Sequence, residues 1–260
     1  MTIASSAVYD ERYRGDYREQ LAGFEIARWK ALEHFVRRVV RPGLRPRVLD
    51  YGAGSGLHVE LWERLFPGSE LHFCDVSAVA MEKFARKYPR HAGRYRLLDG
   101  IRASQQEGTF DLVVSVEVME HVGDLHAYVR DIHRLLRPGG WFVWTTPCGN
   151  PGSIEHVYSA LTGGIQATRD GYRRWAWEDP THERRLRSRE IEGVLLRCGF
   201  GDVRFRFRSH LFSFLCTYYA TSRFAGIRNR LMALDYLLFR RLPNGASMIG
   251  AAEKIEERDN

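Results

Sequence analysis

Between Arg47 and Pro147 the chain alternates short apolar runs with helical patterns, and this constrains the fold more than any other feature. The runs are "RVLDYG", "ELHFCDVS", "RYRLLDG", "FDLVVSVEV" and "WFVWTTP". The helical segments include "LHVELWERLF", halted by "PGS", then "AVAMEKFARKY" and "HAYVRDIHRLLRPGG" with its Pro-Gly-Gly stop. Strands that alternate with helices imply a parallel sheet wrapped by right-handed crossovers. The expected fold class is therefore α/β, a doubly wound, mostly parallel sheet. Such sheets bind ligands beyond the carboxyl ends of their strands, near the reversal of strand order. That rule gathers Asp50, Asp75, Asp99 and Glu117 at one edge.

The flanks complete a single domain, residues 1–260. Residues 1–46 form a helical cap in which Leu21, Phe24, Ile26, Leu32, Phe35 and Val39 recur at roughly helical spacing, ended by "RPGLRP". Residues 47–147 are the core. Residues 148–187 are an irregular, aromatic-rich excursion expected to act as a substrate lid. Its Tyr158, Tyr172, Trp175 and Trp177 either wall a pocket or pack the lid itself. In residues 188–260, "SREIEGVLLRCGF" reads as a helix, "DVRFRFRSH" as a strand of period two and "SMIGAAEKI" as a final strand. A helical insert, 211–242, separates the two strands. Ile227, Leu231, Leu234 and Leu238 share one face of it, among Arg223, Arg228, Arg230, Arg240 and Arg241. Peripheral contact with an anionic membrane is one reading. The charges do not segregate cleanly, which favours packing against the domain or a second subunit. No oligomeric state follows.

A formal net charge of +7 favours anionic partners, nucleic acid among them, although the arginines are scattered as on a solvated surface. "YRRWAWEDPTHERRLRSR" would suit RNA, but no RNA-binding module is recognisable. None of the four cysteines forms a C-x-x-C pair, which suggests packed thiols in a reducing compartment. The N-terminus has no secretory pattern, and "LFSFLCTYYA" is too short for the roughly 20 residues of a membrane span. A cytoplasmic protein is expected.

"LDYGAGSG" places Gly52, Gly54 and Gly56 behind Asp50. A dinucleotide fingerprint would want glycine at Leu57, so a nicotinamide enzyme is disfavoured. Asp75 stands at the next strand end, where an acid accepts from both hydroxyls of a ribose. Asp99 follows at the third, where a carboxylate could accept from an adenine amino group. In order and spacing, "VLDYGAGSG", "HFCDVS", "LLDG", "FDLVVSVEVMEHV" and "LLRPGGWFVWTTP" resemble the motifs of class I S-adenosylmethionine-dependent methyltransferases. The resemblance runs from Arg47 to Pro147 and resumes at "THERRLRSREIEGVLLRCGF". It implies a methyltransferase with S-adenosyl-L-methionine as cofactor. Asp50, Gly52, Ala53, Gly54 and Gly56 would hold the methionine part, Asp75 and Val76 the ribose, and Asp99 and Gly100 the adenine. Val116 and Glu117 would lie near the sulfonium. Tyr9, Tyr13 and Arg14 fall in a segment resembling the one that closes over the cofactor.

"EVMEHV" leaves three readings open. If a helix begins at Val118, Glu117 and His121 share a face, with Glu120 beside them. The group is then scaffolding, with Glu117 lining the cofactor pocket, or it is catalytic, with His121 as general base and Glu117 beside it. The third reading is a divalent site (Mg, Mn or Zn) of Glu117, Glu120 and His121, completed by His182. "EVMEHV" resembles the Glu-x-x-Glu-His element of ubiquinone-biosynthesis O-methyltransferases and of small-RNA 2′-O-methyltransferases. Both imply a cation and a hydroxyl acceptor. His156 is the lesser distal candidate. His58 is expected to pack or cap, and His126, His133 and His210 to be ordinary surface or flanking residues. The favoured activity is methyl transfer to oxygen of a small molecule. The alternatives are RNA 2′-O-methylation with a metal, or a non-catalytic cofactor-binding protein on the same fold.

Overall fold

The structure, a computed structural model, describes residues 6–15, 17, 23–40, 45–103, 107–212 and 224–255. Strands β1 (Arg47–Tyr51), β2 (Glu70–Asp75), β3 (Tyr95–Leu97), β4 (Phe110–Val116) and β5 (Leu136–Pro147) pair in parallel. A separate antiparallel hairpin follows, β6 (Ile165–Ala167) with β7 (Arg173–Trp175). β8 (Phe200–Arg208) and β9 (Ser247–Lys254) then extend the main sheet, whose order is β3-β2-β1-β4-β5-β9-β8. Only β9 runs against the rest, since it is antiparallel to both β5 and β8. Adjacent β1 and β4 form the reversal of strand order, with Leu49 opposite Val113.

Period-two alternation sorts the strand residues to two faces. Leu49, Val113, Phe142 and Trp144 face one side, where they meet helices α5 (Leu98–Ala103), α6 (Leu125–Leu135) and α8 (Ser188–Arg197). Val48, Leu112, Val114 and Val143 face the other, against α2 (Gly23–Val39), α3 (Val59–Leu65), α4 (Ala78–Lys87) and α9 (Ala225–Phe239). Each fully buried Leu or Phe in these layers contributes about 1.5–3 kcal/mol. Helix starts follow local chemistry: Ser77, Asp124 and Ser153 accept backbone N–H groups to cap α4, α6 and α7 (Ile154–Leu161).

Five sequence expectations change. The third strand stops at Leu97, and "LDGIRA" turns into α5, because Leu98 and Ile101, three apart, both enter the core. The excursion is ordered rather than irregular, holding α7 and the β6–β7 hairpin. "RPGG" does not sit between helix and strand but lies inside the extended span of β5. In the insert, residues 213–223 lie outside the described residues. α9 presents Ile227, Leu234 and Leu238 outward and buries Arg228, Met232, Asp235 and Tyr236, so the apolar face does not pack against the domain. His210, expected at the surface, is buried. Its Nδ1 lies 3.1 Å from Asp235 and its Nε2 3.0 Å from the Leu242 carbonyl, tying α9 to the end of β8. No helix among the described residues is long and apolar enough to cross a membrane.

Gly250 pairs with Trp144 across β9 and β5, and a Cβ there would stand 2.1 Å from the buried indole. Gly250→Ala is expected to destabilise the fold by about 1–3 kcal/mol through overpacking. The shift of the urea midpoint measures it.

Candidate active site

The glycine loop leaves β1 and turns under two aromatic caps. Gly52 has φ +88° and Gly54 φ +54°, a region that L side chains rarely adopt. A Cβ on Gly54 would meet the Tyr13 hydroxyl at 2.2 Å, and one on Gly52 would meet Val118 at 2.3 Å. Both glycines thus permit a close approach from α1 (Ser6–Arg14) and from the end of β4. The Tyr95 hydroxyl donates to the Gly54 carbonyl at 2.9 Å and holds the loop from below. Asp75 ends β2 with both carboxylate oxygens engaged by backbone: Gly54 N–H donates to Oδ2 at 2.9 Å and Ser77 N–H to Oδ1 at 3.0 Å. A carboxylate oxygen has two lone pairs and can accept more than one donor, as binding a vicinal diol requires. Asp50 is fully buried. Trp62 Nε1 donates to its Oδ2 at 2.7 Å, while Oδ1 has no hydrogen-bond partner among the described residues. Burial, with the nearby Asp75 charge, pushes its pKa up to about 7 against the opposing Trp62 hydrogen bond.

A cavity opens above this loop. Gly52, Asp75 and Val76 line one side, Val116, Glu117 and His121 the other, and Tyr9 and Tyr13 of α1 close it. α1 is clamped over the mouth by Arg12, whose guanidinium donates to Asp179 Oδ2 at 2.5 Å and to Thr181 Oγ1 at 3.0 Å.

The end of β4 does not run into a regular helix. Glu117 takes φ +55°, and only a short 3₁₀ turn follows, Met119–His121. The shared face expected for Glu117 and His121 is therefore absent. Glu117 turns toward α2, where Arg28 pairs with it at 3.1 Å, and it accepts from Thr145 Oγ1 at 2.8 Å. Glu120 is buried and accepts from Thr146 Oγ1 at 3.0 Å. Glu120, His121 and His182 offer ligand atoms that all lie within 4.8 Å of one another, and Glu117 is outside this group. Thr181 orients His121. Its carbonyl and its Oγ1 each lie 3.1 Å from His121 Nδ1, and Oγ1 spends its own proton on Asp179 Oδ1 at 2.8 Å. Two acceptors at Nδ1 place the imidazole proton there, so Nε2 carries the lone pair of the neutral ring and faces Glu120 at 4.0 Å. Burial opposes protonation of His182, but Glu178, Glu120 and Glu117 outweigh it and raise its pKa above the ordinary imidazole value.

A profile described as a methyltransferase domain matches residues 17–204. The chain belongs to the class I S-adenosylmethionine-dependent methyltransferases. It is 33% identical over 120 residues to a ubiquinone biosynthesis O-methyltransferase of Maricaulis maris, covering 44% of this chain and 45% of that one. It is 35% identical over 151 residues to a protein of the same name from Xanthomonas campestris, covering 54% and 61%. The chain spans about half the length of the curated relatives it matches. Among solved structures it resembles a SAM-dependent methyltransferase from Archaeoglobus fulgidus at TM-score 0.55 and 19% identity, covering 95% and 99%. It also resembles phosphoethanolamine N-methyltransferase 2 from Haemonchus contortus in complex with S-adenosyl-L-methionine, at TM-score 0.56 and 17% identity, covering 95% and 60%. At those identities the structural likeness speaks for the fold.

In this methyltransferase the residues anticipated for cofactor contact divide. Gly52, Asp75, Val76, Val116, Glu117 and Tyr13 line the cavity. Asp50 and Ala53 are buried beneath it, and Gly56 packs against Phe84 and Tyr88. Asp99 sits in the first turn of α5 with its side chain 96% exposed, beside Arg102, and Gly100 is exposed next to it. Neither lines the cavity. Arg14, read as part of the closing segment, is exposed and pairs with Glu11, while Arg12 makes the clamp. Trp175 is buried beside His156 and Arg185, while Tyr158 and Trp177 are exposed; none of the four aromatics of the segment expected to act as a lid lines the cavity. His156 is outside the Glu120 group. His58 is packed between Trp29 and Trp62. His126 is half-buried on α6, and His133, expected at the surface, is half-buried against Phe200 and Gly199. Arg12, Thr181 and Asp179 were not anticipated; no periodicity or motif marks them, since their pairing spans about 170 residues.

Asp75→Asn keeps the shape but weakens the acceptors, and is expected to raise the S-adenosylmethionine Kd roughly 10–100-fold; calorimetry reads this directly. Asp50 has its folded pKa raised, so its contribution to stability is full below the unfolded carboxylate pKa and is lost as pH rises to about 7. Urea unfolding of Asp50→Asn should therefore gain on the wild type from about pH 4 to pH 7 and hold a constant difference above that.

Proposed function

We propose that this methyltransferase carries the methyl group of S-adenosylmethionine to an oxygen of a small-molecule acceptor, beside a divalent cation held by Glu120, His121 and His182. One observation carries the reading: those three side chains converge within 4.8 Å while His121 also lines the cavity that holds Asp75 and Gly52. Methyl transfer is an in-line displacement and needs nucleophile and methyl about 3–3.5 Å apart and aligned. A protonated hydroxyl is a weak nucleophile, so an oxygen acceptor needs help that the cavity's apolar walls cannot supply. The names of the ubiquinone-biosynthesis relatives support oxygen as the acceptor atom.

Each residue has a distinct task in this reading. Asp75 fixes the ribose, so the sulfonium end of the cofactor lies toward Val116 and His121. Tyr9 and Tyr13, clamped by Arg12, keep water from the transferring methyl. Asp179 and Thr181 hold the proton of His121 on Nδ1, which puts the lone pair of the neutral ring on Nε2. Arg28 draws Glu117 away from the group, so Glu117 serves the pocket wall. Two imidazoles and one carboxylate suit Mn²⁺ or Zn²⁺ better than Mg²⁺. When bound, such an ion lowers the pKa of an acceptor hydroxyl. The free thiols of Cys74, Cys148 and Cys198 accord with a cytoplasmic setting.

Titrating Mn²⁺ and Zn²⁺ into chelator-treated protein saturated with S-adenosylhomocysteine tests this. About one ion per chain is expected, with uptake lost in Glu120→Gln and in His182→Ala. Uptake should weaken as pH falls through the raised pKa of His182, because the ion needs the neutral ring. His121→Ala should abolish transfer and leave cofactor affinity within about twofold. A protein that takes up no ion at any pH retires the cation and leaves His121 as the base.

A further inference from the structure

Arg208 is the last residue of β8 and lies opposite Ser247, which opens β9. β8 runs in the direction of β4 and β5, so Arg208 stands at the edge of the sheet that holds the active site. It is only 6% exposed, yet among the described residues its side chain makes no hydrogen bond or ion pair, and its Nε is buried without an acceptor. The charged groups facing it are Arg28 on α2, Glu117 at the end of β4, Glu155 on α7 and Asp235 on α9. Every one of those acids is already engaged. Glu117 is held by Arg28 and Thr145, Glu155 by Arg185, and Asp235 by His210 and by the backbone N–H groups of His210 and Leu211. Arg208 is therefore a buried cation left over. Burial and the charge of Arg28 bring its pKa down to about 10, which still leaves it protonated at neutral pH.

An unpaired buried charge is among the most costly features a fold can carry. It is tolerable where an anion completes it. We propose that Arg208 is the anchor of an acceptor subsite and pairs with a carboxylate carried by the methyl acceptor. The planar guanidinium offers a fork that matches such a group. Strand order distinguishes the acceptor from the cofactor as the source of that carboxylate. β8 lies three strands from β4 and five from β2, roughly 14 Å and 24 Å at the usual spacing. The ribose-binding Asp75 is on β2, so Arg208 sits on the far flank from the adenosine end. The inference rests on the proposed transfer to a small-molecule acceptor in the cavity that Glu117 lines.

The test is calorimetric. 3,4-Dihydroxybenzoate and its neutral methyl ester are titrated into wild type and Arg208→Met, both saturated with S-adenosylhomocysteine. The wild type is expected to prefer the acid by about tenfold or more, and the variant to show no preference. S-Adenosylmethionine affinity should be unchanged in the variant. Its ligand-free melting temperature should equal or exceed that of the wild type, since an unpaired charge has been removed. Equal binding of both probes, or binding of neither by the wild type, overturns the proposal. A loss of S-adenosylmethionine affinity instead assigns Arg208 to the cofactor's own carboxylate. A lower melting temperature makes it a structural residue. Binding is read without turnover, so a protein that prefers the acid but transfers no methyl refutes the methyltransfer reading and leaves this one standing.

Discussion

Strands β1 and β4 lie side by side although two complete strand–helix units separate them in the chain. Their crossovers leave in opposite directions, so no backbone fills the space beyond their carboxyl ends. The rest of the structure depends on that gap. The glycine loop enters it from β1 because Gly52 and Gly54 can turn where a side chain would strike Val118 or Tyr13. Glu117 and Val118 enter it from β4. The cavity is the volume these two strand ends cannot occupy.

The walls of the gap are largely apolar, and the few polar groups that border it are held from elements distant in sequence. Asp75 is fixed by the loop it helps to shape, through Gly54 N–H. His121 is fixed by Thr181 from the segment 148–187, and Thr181 in turn by Asp179 and by Arg12 from the first helix. One chain of hydrogen bonds therefore links the first helix, that segment and the imidazole. Closure over the cavity and the protonation pattern of His121 are parts of the same arrangement, because removing Arg12 or Asp179 would loosen both. The buried charges at the far end follow a similar logic: Arg28 satisfies Glu117, Arg185 satisfies Glu155 and Glu178, and Arg208 alone of these arginines has no partner among the described residues.

The sheet was legible from periodicity, because a strand buried on both faces must be apolar throughout and its helices must show a stripe. The glycine loop and Asp75 were legible for the same reason, since strand ends define where a ligand can lie. Asp99 misled: "LLDG" reads as a strand end, yet Leu98 and Ile101 bury together only as a helix, and that turns Asp99 to solvent. His210 misled in the opposite sense, because nothing near it in sequence announces that Asp235 will come to meet it. Glu117, Glu120 and His121 were recognised as a group, but the positive φ of Glu117 divides them.

Residue order alone determined the α/β class, the strand-end acids and the placement of Glu120 beside His121, since these depend on periods of two and 3.6 and on neighbours a few positions apart. The tertiary structure decided which acid points where, which histidine joins the pair, which nitrogen of His121 holds its proton and which arginine is left unpaired. Those outcomes depend on contacts between elements separated by up to about 170 residues, where hydrogen-bond geometry and the cost of burying charge, rather than local pattern, set the result.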